Sequence, residues 1–298
     1  MSSSVKGGRT MKHPIIVMTG ATSGIGQIAA IDLAKLGATL VLTARSKERA
    51  EETERLISES SPNTKVDFYF GDLSVMEDVQ RIGIDIKNNY PQIDVLVHNA
   101  GLHAFKQRIT TDGFPEMMAV NYFTPWLLTN ILLESLRNAQ HAKIISIASE
   151  ASRNYGKMKL PFDLTNTASF TARESSQIYG KTKLLNIMFT AELARQLTEP
   201  NIITNAVNPG FNNTGLGREL KIAPVLGRIF KLLNIGDPRR GAEIIVRLIT
   251  NSHYEKVTGK YFNVGTGNVI DPASPGKDRD LQQQLWKDTE KILKKYVD

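Results

Sequence analysis

At 298 residues, 41% of them hydrophobic and 22% charged, the chain is long enough for one large α/β domain or two small ones and too apolar to be disordered. It contains no cysteine, which excludes disulfides, thiolate metal sites and a cysteine nucleophile, and its five histidines (13, 98, 103, 141 and 253) show no metal-ligand spacing, so no metal is expected. The net charge of +7 comes from 37 basic residues interleaved with 30 acidic ones, without an aromatic platform, and points to a solvated basic surface and no nucleic-acid partner.

Residues 1–13 are polar, lack the apolar core of a signal peptide and read as a flexible N-terminal tail. No window reaches the length of about 18 apolar residues that a membrane span needs, so a soluble, cytoplasmic chain is expected. The apolar run Ile15-Ile16-Val17-Met18 breaks into Thr19-Gly20-Ala21-Thr22-Ser23-Gly24-Ile25-Gly26. An apolar-periodic segment (Ile28, Ala29, Ile31, Leu33, Ala34, Leu36) follows at once. This pattern predicts a strand, a tight turn and a helix start. Glycines allow positive φ and close approach of a ligand, and a helix N-terminus offers unpaired N–H groups with partial positive charge, which suits a phosphate. An ordinary glycine-rich turn is the alternative.

Strand patterns follow at 38–43, 66–70, 93–97, 142–148, 202–207 and 260–264, with helical patterns between almost every pair, among them a charged helix over 47–59. Seven strands alternating with helices predict an α/β fold: a single-domain Rossmann-type, doubly wound parallel sheet spanning 14–298. Ligands gather beyond the carboxyl ends of such strands, so the residues ending each strand come first.

The second strand ends in Thr43-Ala44-Arg45, with no acid from 43 to 47. An acid there would accept the 2'-hydroxyl of NAD, whereas the planar fork of an arginine fits a 2'-phosphate, so NADP(H) is expected. A surface arginine opening a charged helix is the other reading. The third strand ends in Gly71-Asp72-Leu73, where Asp72 could cap a helix near Ser74, and the fourth runs into His98-Asn99-Ala100-Gly101.

A helical pattern over 114–138 carries Asn121 in its middle, a poor interior helix former that ordinarily faces solvent or bonds within the core. The fifth strand places Ser149 at its carboxyl end, with Ser146 and Ser152 nearby and a turn role as the alternative. A long connection over 150–175, bearing Met158, Leu160, Pro161, Phe162 and Phe170, reads as one wall of a substrate pocket. Tyr179-Gly180-Lys181-Thr182-Lys183 then opens a helix in which Tyr179 and Lys183 share a face. An ammonium within about 4 to 6 Å, together with a positive nicotinamide, should lower the phenol from its usual value near 10 and make Tyr179 a usable acid/base. Asn208-Pro209-Gly210 follows the sixth strand. The stretch 216–235 is amphipathic and basic, and reads as a lid, a core helix or a membrane-surface contact.

The Thr-Gly-x3-Gly-x-Gly turn, the ordered set Asn121, Ser149, Tyr179 and Lys183, and Asn208-Pro209-Gly210 together resemble the short-chain dehydrogenases/reductases over nearly the whole chain. Leu160-Pro161-Phe162-Asp163-Leu164 and Gly259-Lys260-Tyr261-Phe262 are similar to the retinol dehydrogenase and WW-domain oxidoreductase branch. The resemblance implies a catalytic tetrad of Asn121, Ser149, Tyr179 and Lys183. It implies a coenzyme site of Gly20, Thr22, Ser23, Gly24, Ile25, Gly26, Arg45, Asp72, Leu73, Asn99, Ala100, Gly101, Tyr179, Lys183, Pro209, Gly210 and Thr214. It also implies a helical lid over 211–236. His98 stands where the family has a first asparagine.

The expected activity is NADP(H)-dependent hydride transfer to or from a carbonyl or alcohol. Phe105, Leu160, Phe162, Phe170, Phe211 and Leu216 suggest an apolar, medium-to-large substrate. A non-catalytic coenzyme sensor or scaffold of the same fold, and an epimerase or dehydratase, are the rivals. Expected partners are the small-molecule substrate and, through 221–235, a weak membrane surface. A monomer and a homodimer are both open, because the helix after Tyr179 is apolar enough for a core or for an interface.

Overall fold

The computed structural model describes residues 13–210 and 237–297. The tail up to residue 12 and the segment 211–236, with Phe211, Thr214, Leu216 and the basic stretch 221–235, lie outside the described residues.

Seven strands form one parallel sheet in the order β3-β2-β1-β4-β5-β6-β7. They are β1 (Ile15–Met18), β2 (Thr39–Ala44), β3 (Val66–Phe70), β4 (Val95–His98), β5 (Ala142–Ile147), β6 (Ile202–Asn208) and β7 (Lys260–Asn263). Strands covered on both faces read as continuous apolar runs, which is why β1, β2, β4 and β5 were visible as such. Successive side chains still part to opposite faces. Val17 enters one core cluster, while Ile16 and Met18 enter the other. Helices α1 (Gly24–Lys35), α2 (Lys47–Ser60) and α8 (Pro238–Thr250) cover one face, and α3 (Met76–Asn89), α5 (Thr124–Arg137), α7 (Ala172–Gln196) and α9 (Arg279–Val297) the other.

The helical pattern over 114–138 is not one regular helix. It is a short α4 (Glu116–Met118), a π-helical turn (Ala119–Phe123) and then α5. The wide turn is centred on Asn121, and π-turns of this kind accompany functional sites. The connection over 150–175 also carries more structure than expected. It holds a 3-10 turn (Glu150–Arg153) and a short α6 (Phe162–Thr165), and α7 begins at Ala172, so Tyr179 lies two turns inside its helix and does not open it. A capping box explains the early start, with Thr171 accepting from the Glu174 N–H and Glu174 accepting from the Thr171 N–H.

The apolar face of α7 is used within the chain. Leu184, Leu185, Met188, Phe189 and Leu193 are buried, and α9 lies over them with Trp286 stacked on Phe189 at 5.9 Å. The Tyr122 hydroxyl meets Thr289 at 2.8 Å, tying α9 to the π-turn. Among the described residues, no helix is long and apolar enough to cross a membrane.

Candidate active site

The turn between β1 and α1 is built by backbone chemistry that only glycine allows. Gly20 and Gly24 have φ of 67° and 57°. A Cβ at Gly20 would lie 2.7 Å from the Ala100 Cα, and one at Gly26 would collide with the Gly20 carbonyl and the Asn99 amide. Asn99 stitches this turn to the end of β4, donating from Nδ2 to the Gly20 carbonyl at 2.8 Å, while Thr19 Oγ1 accepts the Asn99 and Ala100 N–H groups at 3.1 and 3.0 Å. Ser23 starts α1 without a side-chain cap and no acid occupies the first turn, so the uncapped N–H groups and the helix dipole face outward. These residues fit the phosphates of a dinucleotide.

Arg45, just beyond β2, is largely exposed, and its guanidinium lies 3.6 Å from the Asp72 carboxylate. Asp72 Oδ1 accepts the Ser74 N–H at 2.9 Å, closing the turn after β3. It does not cap α3, which starts at Met76, where the backbone N–H donates to Asp112 Oδ2 at 2.7 Å. The Leu73 carbonyl accepts from Thr124 on α5 at 2.6 Å. Pro209 and Gly210 follow β6, with Gly210 at φ 80° and its N–H given to Asn208 Oδ1 at 3.0 Å. Among the predicted coenzyme residues, Thr214 alone falls outside the described residues.

Asn121, Ser149, Tyr179 and Lys183 converge beyond the carboxyl ends of β4 and β5. Lys183 is buried and donates to the Ile147 carbonyl at 2.8 Å, and its ammonium is 5.8 Å from the centre of the Tyr179 ring. Burial holds it down at about 8. A Cβ on Gly101 would lie 3.2 Å from Lys183 Nζ and 3.4 Å from Asn121 Oδ1, so the bare glycine backbone keeps the space above the amine open. Asn121 is fully buried. Its Oδ1 accepts the Leu102 N–H at 2.8 Å and its Nδ2 donates to the Leu102 carbonyl at 2.9 Å and to Thr182 Oγ1 at 3.0 Å.

Ser149 Oγ accepts the Ala151 N–H at 3.1 Å, the turn role foreseen as its alternative, and this leaves its own hydrogen to donate. The Tyr261 hydroxyl donates to the Ser149 carbonyl at 3.2 Å and steadies the turn. Tyr179 keeps partial solvent contact, yet the protein packed around it pushes its hydroxyl up to about 12, with a hydrogen bond from the Ser149 side chain acting in the opposite sense. The expectation of a lowered value is therefore not met by the protein's own groups. Desolvation outweighs the Ser149 hydrogen bond, and the Lys183 ammonium is committed to the Ile147 carbonyl.

Three contributors were not read from the sequence. A Cβ on Gly180 would collide with the carbonyl oxygens of Ala151 and Asn154, so this glycine lets α7 close directly onto the turn that carries Ser149. Lys181 makes a largely buried ion pair with Asp163 at 2.8 Å, fastening α6 to α7 two residues from Tyr179. The His103 ring stacks on the Tyr179 ring at 4.8 Å. The Leu-Pro-Phe-Asp-Leu insert contained the acid for Lys181, and the Thr-x-x-Glu signature marked the true start of α7. His98 turns away from this cleft: its Nε2 meets Thr129 Oγ1 on α5 at 2.7 Å, and burial pushes it down to about 3, so it is neutral. Among the described residues, no group of three or more His, Cys, Asp or Glu is placed to hold a metal.

A family profile described as short chain dehydrogenase matches residues 14–162. The chain is 30% identical over 292 residues to human retinol dehydrogenase 14, covering 93% of this chain and 85% of that protein. Its fold superposes on a Mycobacterium paratuberculosis protein with a TM-score of 0.76 at 24% identity, covering 96% and 95% of the two chains. It also matches the L-sorbose reductase from Gluconobacter frateurii, solved with NADPH and L-sorbose, at a TM-score of 0.67 and 21% identity over 89% of this chain and 97% of that one. With the cleft it carries, the chain belongs to the short-chain dehydrogenase/reductase family of nicotinamide-dependent oxidoreductases, in its retinol dehydrogenase-like branch.

Proposed function

We propose that the protein is an NADP(H)-dependent oxidoreductase that interconverts a carbonyl and an alcohol on an apolar, medium-to-large substrate, with Tyr179 as the general acid/base. The observation that carries this reading is the convergence of Tyr179, Ser149 and buried Lys183 beyond the carboxyl end of β5, with bare Gly101 beside the amine. The nicotinamide supplies the hydride when the coenzyme is bound. Tyr179, protonated at neutral pH, gives its proton to the carbonyl oxygen during reduction. The Ser149 hydroxyl donates to the same oxygen as charge develops, a role worth about 3 kcal/mol for donors of this kind.

Lys183 holds the nicotinamide ribose and, with a water beside Asn121, returns a proton to Tyr179. Gly20, Thr22, Ser23, Gly24, Ile25 and Gly26 hold the pyrophosphate. Arg45 takes the 2'-phosphate, supported by its exposed guanidinium and by the lack of an acid from 43 to 47. Asp72, Leu73, Asn99, Ala100 and Gly101 would line the adenine and ribose side, and Pro209 and Gly210 the nicotinamide side. The connection over 150–175 forms one substrate wall, with Tyr155, Met158 and Leu160 packed on the core and Phe162 exposed. The cytoplasm is the proposed compartment.

Purified protein incubated with NADPH or NADH and a graded series of ketones and aldehydes, retinaldehyde among them, tests the reading. Carbonyl-dependent NADPH oxidation that strengthens with apolar size is expected. No carbonyl-dependent consumption of either coenzyme across the series would overturn it.

A further inference from the structure

Tyr179 has an aromatic neighbour that the reaction as described does not use. The imidazole of His103 lies 4.8 Å from the phenol ring, tilted by only 19°, and Phe105 adds a second ring 4.5 Å from the imidazole. We propose that His103 is a positioning residue for Tyr179, a slab fixed between the segment after β4 and helix α7 that confines the phenol ring so that its hydroxyl stays directed at Ser149. The inference rests on the reading of Tyr179 as the proton donor and adds a residue to it.

His103 is held from three sides. On its N-terminal side both polar groups of the Leu102 peptide unit are engaged by the Asn121 side chain, at 2.8 and 2.9 Å. On its C-terminal side the Ala104 carbonyl accepts the Ser175 hydroxyl at 2.6 Å. The ring itself reaches the same Ser175 oxygen through Nε2 at 2.9 Å. A serine hydroxyl has one hydrogen, and here it goes to Ala104, so the oxygen accepts and His103 Nε2 carries the proton. Ser175 is buried on α7 four residues before Tyr179, on the same face of the helix. The tether and the phenol therefore belong to one rigid element, and the backbone bonds at Leu102 and Ala104 hold a ring at position 103 against the phenol independently of the tether.

The contact is with the ring face of Tyr179, and the Nε2 proton is committed to Ser175, which makes His103 a poor candidate for a proton donor to substrate. What the face-on contact restricts is sideways swing of the whole phenol about its first side-chain torsion, the motion that displaces the hydroxyl, since rotation about the terminal torsion leaves that oxygen on its axis. Misplacing a reacting group by about 1 Å can cost on the order of 100-fold in rate. Among the described residues, the groups facing Tyr179 include the Lys183 ammonium, the Ser149 hydroxyl and this imidazole. The slab also keeps water from one face of the phenol, which contributes to the desolvation that raises Tyr179.

The test compares the full-length protein with His103→Ala and His103→Phe, and reads two quantities. One is kcat for carbonyl reduction at saturating NADPH. The other is the ionisation of Tyr179, taken from tyrosinate absorbance as the difference from a Tyr179→Phe partner in each background. In His103→Ala, kcat should fall by about tenfold or more with NADPH affinity retained, and the Tyr179 ionisation should move down from about 12 towards that of a free phenol. In His103→Phe, which keeps a ring on the phenol, kcat should stay within about threefold and the ionisation should not move.

Wild-type kcat and an unmoved ionisation in His103→Ala would overturn the proposal, as would a His103→Phe variant as impaired as His103→Ala. Retained NADPH binding and cooperative unfolding show that each variant is folded. If the wild-type protein reduces no carbonyl, the functional reading fails on its own, and the ionisation measurement still decides whether the slab exists.

Discussion

Lys183 donates to the carbonyl oxygen of Ile147 at 2.8 Å from a position where its ammonium is almost wholly removed from water. The amine is thus stationed at the end of β5 by the backbone, and its charge is tolerated there at a cost. Burial pulls it from the usual lysine value down to about 8, a penalty of about 3 kcal/mol on the charged form. Because the folded value lies below the unfolded one, the unfolded chain binds the extra proton between about pH 8 and 10.4, and stability should rise with pH across that window. Lys183→Met removes the buried charge and should raise the melting temperature of the coenzyme-free protein at pH 7, by about 1 to 3 kcal/mol in stability, while abolishing turnover. The gain should shrink above pH 8, where the lysine is already neutral. Thermal unfolding at pH 7 and pH 9 checks this, and a loss of stability at both would contradict it.

Gly180 is the contact point between α7 and the turn bearing Ser149. Gly180→Ala forces a methyl group against the Ala151 and Asn154 carbonyls, and backbone cannot yield as a flexible side chain can. The two elements should part, at a cost of about 1 to 3 kcal/mol, with kcat falling far more than coenzyme affinity. Unchanged kcat in a stable Gly180→Ala protein would show that Ser149 and Tyr179 tolerate a wider separation.

Arg45 and Asp72 form an exposed pair, worth at most about 1 kcal/mol to the fold. Arg45→Asp should therefore leave the melting temperature nearly unchanged while lowering kcat/KM for NADPH and erasing or reversing the preference over NADH. Steady-state kinetics with both coenzymes gives the ratio directly. An unaltered ratio would remove Arg45 from the 2'-phosphate site.

The Asp163–Lys181 pair is largely withdrawn from water, with side-chain exposures of 11% and 12%. Removing one partner leaves the other charge uncompensated, so Asp163→Asn should destabilise by about 2 to 4 kcal/mol and raise KM for the substrate by loosening α6. Joint replacement, Asp163→Asn with Lys181→Met, should recover much of that stability. Denaturant unfolding of the two variants separates this outcome from simple additivity.

The seven strands and the glycine turn were legible because parallel strands buried on both faces are largely apolar, and because Gly20, Gly24 and Gly26 occupy positions where a Cβ is strained or collides. Helical spacing put Tyr179 and Lys183 on one face and the strand pattern put Ser149 at a strand end, whereas grouping Asn121 with them came from the resemblance to the short-chain dehydrogenases/reductases. Tertiary bonds hid the rest. The π-turn depends on Asn121 reaching Leu102 and Thr182, which no local propensity encodes. The start of α7 was written in the Thr171 and Glu174 capping box, two turns ahead of Tyr179. His103 carried no spacing signal, because Ser175, to which its ring is tied, is 72 residues away. The raised value of Tyr179 reflects packing around its hydroxyl, which sequence distance to Lys183 does not report.

Tyr179→Phe isolates one oxygen atom and leaves the ring, the His103 stack and the coenzyme site in place, so it addresses the proposed chemistry most directly. With a carbonyl that the wild-type protein reduces, carbonyl-dependent NADPH oxidation should fall by about 100-fold or more, while NADPH still quenches or enhances protein fluorescence with wild-type affinity. A Tyr179→Phe protein that reduces the same carbonyl at the wild-type rate would show that the proton comes from elsewhere and that the account of this cleft is wrong.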